Sequence, residues 1–147
     1  MNANGQARGA GLTLRQRVLS ALIGVGLAAL LATAIALSPS ESGWGTHRQL
    51  GLPPCTFQSL VGVRCPSCGM TTSWAWLVRG NVVRAVQSNV GGAMLAAISM
   101  VAMPFLLVSA IRGRWIVSPP GDRMLAGPAI VVVVITLIDW GIRLATG

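Results

Sequence analysis

Lysine and tyrosine are absent from this 147-residue chain, histidine occurs once, and the acids number three: Glu41, Asp122 and Asp139. Three acids so far apart do not supply the paired carboxylates of acid-base hydrolysis. There is also no Ser-His-Asp arrangement and no adequate phosphate-cradling glycine loop. Charged residues make up only 10% of the chain against 53% hydrophobic residues, too few to cover the surface of an ordinary soluble domain. The basic residues are eleven arginines, giving a net charge of +8. Such a charge would suit nucleic acid if the arginines formed one stripe. They instead flank long apolar segments, where phospholipid headgroups would meet them, so no nucleic-acid partner is expected.

Three apolar runs stand out. The first, residues 18–37, follows Arg8, Arg15 and Arg17 and stops at Ser38-Pro39-Ser40. About 20 residues at 1.5 Å each cross a hydrocarbon core of about 30 Å. Ala34-Ile35-Ala36 also fits a small-x-small cleavage pattern, but the run is long for a signal core, and retention is expected. Gly24, Ala28, Ala32 and Ala36 form a four-residue stripe on which another helix could pack. The second run, residues 89–111, carries Pro104, which should free the carbonyl of Met100 and kink the helix. The third, residues 124–145, continues from the β-branched block Ile130–Ile135 through Thr136, Leu137, Ile138 and Trp140. That continuity favours a spanning helix over a buried strand. Asp139 and Arg143, spaced i,i+4 near its end, read as a local ion pair whose Arg reaches the interface.

Trp44, Trp74, Trp76, Trp115 and Trp140 all fall near the ends of these segments, where an amphipathic indole prefers the headgroup layer. Arginine density sets the expected orientation. Residues 1–17, a basic segment expected to be disordered, and the connection 112–123, with Arg112, Arg114 and Arg123, should be cytoplasmic. Residues 38–88, whose Arg48, Arg64, Arg79 and Arg84 are diluted over a longer stretch, should face outward.

All three cysteines lie in that outer stretch: Cys55, and the pair in Cys65-Pro66-Ser67-Cys68-Gly69. Pro66 can open a helix and Met70–Val78 has helical composition, so the pair is expected at a helix N-terminus, where the dipole and Arg64 would favour a thiolate. Three readings follow. In a redox relay, Cys65 attacks and Cys68 resolves. In a zinc site, the Cys-Pro-x-Cys-Gly knuckle is completed by Cys55 and His47. In a structural loop, the cysteines form a staple or simply pack. Thr71, Thr72 and Ser73 read as residues that cap and line the following helix.

The run Cys65-Pro66-Ser67-Cys68-Gly69-Met70-Thr71, with Leu52-Pro53-Pro54-Cys55 before it and Arg79-Gly80 to Asn89 after it, resembles the small bacterial membrane-protein family called domain of unknown function 2752. The likeness extends over roughly residues 44–105. It implies a membrane location and a cysteine loop, and no established reaction. Similar proteins often carry Arg directly after the Thr of the motif, where this chain has Thr72, so an anion-binding role for that Arg does not carry over. Where they often read Asn-Pro, this chain has Asn89-Val90.

The expectation is an all-α membrane protein with about three transmembrane helices, and with a cysteine-bearing loop and short interfacial helix between the first two. It would be a non-enzymatic, multi-pass component of the cell membrane. Its environment is the lipid bilayer, and its partner is a second copy or another membrane protein. No cofactor is predicted outright, and zinc is compatible with the donor types present.

Overall fold

The computed structural model describes residues 11–116 and 122–146, with no strand among them. Of the segment expected to be disordered, residues 1–10 lie outside the described residues, while residues 14–17 form the first turn of α1. Three helices are long and apolar enough to cross a membrane: α1 (Leu14–Ala36), α5 (Val90–Arg112) and α6 (Asp122–Thr146), the last through its stretch from Ala126 to Ala145. Between α1 and α5 come a 3-10 turn (Thr46–Leu50) and three short helices, α2 (Thr56–Val61), α3 (Met70–Leu77) and α4 (Val82–Ser88).

Helix α1 starts four residues before the uncharged run. The Thr13 hydroxyl accepts from the Gln16 N–H at 3.3 Å, and the Gln16 side chain accepts from the Thr13 N–H at 3.0 Å, which closes a capping box. Arg15 and Arg17 thus occupy a helical turn beyond the apolar stretch, because a helix does not end where the hydrocarbon does. Helix α4 carries no apolar run long enough to announce it. Its signal is Asn81, whose side chain accepts from the Arg84 N–H at 3.1 Å as an N-cap.

Helix α5 is central: α1 and α6 both pack on it, and α3 is wedged between α1, α4 and α5. The α1 seam runs through Ser20, Gly24, Leu31 and Ala34, all buried, while Ala32 and Ala36 are exposed. The expected stripe therefore serves only at its start. A strict four-residue spacing rotates around a helix of 3.6 residues per turn, whereas a seam that stays against a neighbour alternates steps of three and four. Gly24 is needed there, since a Cβ would lie 2.7 Å from the Leu107 side chain. Gly91 brings α6 close to α5 in the same way, because a Cβ would come within 1.9 Å of the Thr136 hydroxyl oxygen. That hydroxyl is itself tied to the Val132 carbonyl at 2.7 Å, so its rotamer is not free to yield. Hydroxyls returned to their own helix recur at Thr33 and Ser99, as suits a surrounding without water.

The helices alternate in direction. The N-terminal end of α1 meets the C-terminal end of α5, where the Arg17 guanidinium donates to the carbonyls of Ala110 and Ile111 at 2.6 and 3.1 Å. At the opposite end the guanidinium of Arg79, just past α3, donates to Ala34, Ile35 and Leu37 at the end of α1, at 3.2, 2.9 and 2.8 Å, and to Ala75 at 2.7 Å. The three cysteines belong to this second end.

Gly91→Ala should destabilise the α5–α6 contact by about 1–3 kcal/mol, the usual range for forcing an extra methyl into a packed interface. Gly141→Ala, with open space around it, should cost nothing measurable. Unfolding midpoints of the two variants in mixed detergent micelles check this, and equal midpoints would contradict the packing.

Candidate metal and thiol centre

The cysteine turn is built on backbone hydrogen bonds and one obligatory glycine. The Cys68 N–H donates to the Cys65 carbonyl at 3.0 Å and the Met70 N–H to the Ser67 carbonyl at 3.1 Å, so Cys65 to Gly69 form consecutive tight turns. Helix α3 begins only afterwards, at Met70. The pair thus lies just before the N-terminus of α3, with Gly69 as its N-cap, and Pro66 sits in the preceding turn rather than opening the helix. Gly69 lies at φ +89°, and a Cβ there would sit 2.3 Å from the Ser88 carbonyl oxygen and 2.8 Å from that of Gly43. The left-handed backbone and the crowding both demand glycine.

Asn89 anchors this turn to the membrane helices. Fully buried, it caps α5 by accepting from the Gly92 N–H at 2.7 Å. Its amide nitrogen donates to the Pro66 and Cys68 carbonyls at 3.0 and 3.1 Å, and its own carbonyl accepts from the Ser73 hydroxyl at 3.0 Å. Arg143 adds a second tie. Paired with Asp139 one turn earlier, it also donates to the Cys68 and Ser88 carbonyls at 3.2 and 3.3 Å. The ion pair anticipated at the end of the third helix therefore also holds the cysteine turn. The Trp140 indole supplies a third tie, to the Arg64 carbonyl at 2.6 Å.

These ties hold the Cys65–Cys68 turn, and Cys55, the N-cap residue of α2, lies against it. Cys55, Cys65 and Cys68 are unbonded thiols whose Sγ atoms all lie within 4.8 Å of one another, with Cys65 and Cys68 at 3.2 Å. They line a cavity of about 230 Å³ that His47 and Arg48 also border. His47 shares the cavity wall but is not one of the clustered donors. Burial opposes ionisation of Cys65, yet hydrogen bonds from Ser67, Cys68 and Cys55 outweigh it and bring the thiol down to about 7. Cys68 is pushed up to about 12, first by burial and then by its bond to Cys65, whose thiolate it serves as donor.

Thr72 is fully buried, and its hydroxyl meets that of Thr46 at 2.8 Å. Arg48 and Arg64 stack over Trp44, and Arg84 stacks over Trp76 while pairing with Glu41. Two indoles at this end, Trp44 and Trp76, are thus covered by guanidinium groups.

Fold and site define a class: a membrane protein with three helices able to span, carrying a three-cysteine loop at one end of the helical assembly. Residues 55–109 match the model of a family described as "Protein of unknown function (DUF2752)", from the first cysteine almost to the end of α5. The chain resembles that family over this stretch. No curated protein and no solved structure matches the chain.

The Asn89 clamp is legible only in part from sequence, as a helix start. Asn89→Ala leaves the Gly92 N–H and two carbonyls of the cysteine turn without partners, and should cost about 3 kcal/mol or more at about 1–3 kcal/mol per buried unsatisfied group. A denaturant titration in micelles reads that loss. The thiol asymmetry has its own check in the reduced, metal-free protein. Iodoacetamide modification of Cys65 should rise with pH and level off above about 7, while Cys68 stays unmodified until strongly alkaline pH. Peptide mapping that found Cys68 reacting first would contradict the assignment.

Proposed function

We propose that this chain is a non-enzymatic membrane component whose loop is organised by a zinc ion held by Cys55, Cys65 and Cys68. The observation that carries the reading is the convergence of all three thiols, where a two-thiol relay needs only the pair. Thiolates at about 2.3 Å from a tetrahedral zinc stand about 3.8 Å apart, so sulfurs already within 4.8 Å need only small side-chain adjustments to share one ion. The turn itself supports the same reading. Successive N–H donors fold back over it and Gly69 closes it in the left-handed region, a knuckle that presents two sulfurs on one side. His47, outside the cluster, leaves the fourth position to a ligand from solution. Such an ion would supply charge neutralisation for three crowded thiolates and tie the segment before α2 to the turn before α3.

A second reading rests on the acidity of Cys65. Its thiolate, formed near pH 7, would attack a substrate disulfide and form a mixed disulfide. The Cys68 thiol, 3.2 Å away, would then displace the reduced substrate and leave a Cys65–Cys68 disulfide.

We place the thiol centre on the outward side of the cell membrane. Arg17, Arg112 and Arg114 gather at the other end of the helices, as a cytoplasmic face requires.

Counting metal and free thiols in one detergent-purified sample separates these readings. About one zinc per chain, with three thiols released on chelation, is the expected outcome, and Cys55→Ser should lose the metal. Two thiols that appear only after reduction, with no metal, would sink the zinc reading in favour of the relay.

A further inference from the structure

Helix α2 leaves exposed an apolar face that a helix in water would bury. Its residues Thr56–Val61 place Phe57, Leu60 and Val61 at i, i+3 and i+4, which puts three large apolar side chains on one face. That face points outward, with Phe57 38% exposed, Leu60 81% and Val61 58%, while the polar Gln58 is half-buried. Among the described residues, no helix lies packed along α2. Its contact with the spanning helices is made through Phe57, whose ring meets Trp140 of α6 edge-on at 6.5 Å.

That contact sets the level of α2. Trp140 lies near the end of a helix able to cross the bilayer and donates to Arg64, so its ring marks the height at which hydrocarbon gives way to headgroups. The face of α2 continues the lipid-facing surface of α6 through Trp140, on whose side of α6 Leu137 is also exposed. A helix that turns a face of three large apolar side chains outward beside such a surface is matched by acyl chains. A water-soluble partner would bury the apolar face but would not account for its continuity with α6.

We propose that α2 is a lipid-docking arm, with Phe57, Leu60 and Val61 seated at the headgroup–acyl boundary of the bilayer that α1, α5 and α6 cross. Cys55 immediately precedes the first residue of α2, so the bilayer holds this thiol over the Cys65–Cys68 turn. The inference stands whether or not the thiols carry a metal.

Photo-crosslinking tests it in the full chain, reconstituted in phosphatidylcholine–phosphatidylglycerol vesicles with p-benzoylphenylalanine replacing either Leu60 or Gln58. The expected result is phospholipid adducts at position 60, several-fold more abundant than at position 58. Crosslinks from position 60 into a second copy, equal yields at both positions, or no lipid adduct at position 60 would each overturn the proposal. Leu60→Glu provides a second readout. With metal chelated and circular dichroism unchanged, modification of Cys55 by a membrane-impermeant maleimide should speed up several-fold in vesicles, and an unchanged rate would refute the link between lipid docking and Cys55.

Discussion

A helix that ends at the edge of a bilayer leaves its last carbonyls without donors, and in a medium with little water that deficit is costly. Much of this structure is organised around meeting it. Arg17 serves the end of α5, Arg79 the end of α1, and Arg143 the end of α4 together with the cysteine turn. Each guanidinium brings several fixed donors and a charge that suits the negative end of a helix dipole. At Arg79 the planar fork spreads its donors over four carbonyls, three of them at the end of α1.

Asn89 performs the complementary task at an N-terminus. One amide caps α5 and holds two carbonyls of the cysteine turn, so the geometry of the thiols is referred directly to a spanning helix. Gly69 permits the approach by leaving room for the Ser88 carbonyl. The position of the Cys65 and Cys68 sulfurs therefore follows from the α4–α5 junction and from Arg143 on α6, while Cys55 is carried by the start of α2.

The thiols then acquire different characters through their mutual hydrogen bonds. Cys65, bordered by Ser67 and two other sulfurs, is the acidic member, and Cys68, buried and donating, is the resistant one. A bound cation would override this ordering by ionising all three, whereas an exchange reaction would exploit it. Both chemistries draw on the same crowding.

The membrane-spanning helices and the cysteine loop between the first two were legible from the chain alone, because hydropathy and composition are local averages that need no partner. The cysteines were recognisable as the concentration of reactive groups. Sequence did not disclose that α1 begins at Thr13's cap, that α4 exists, that the small-residue stripe drifts off its seam, or that Pro66 sits in the turn before α3 rather than opening it. Sequence by itself determined the solvent this protein inhabits and the donor atoms it offers. Tertiary structure alone decided which of those atoms meet, since Arg79 with the end of α1 and Arg143 with Cys68 join residues more than forty positions apart, and no periodicity along a chain encodes which distant carbonyl a guanidinium will find.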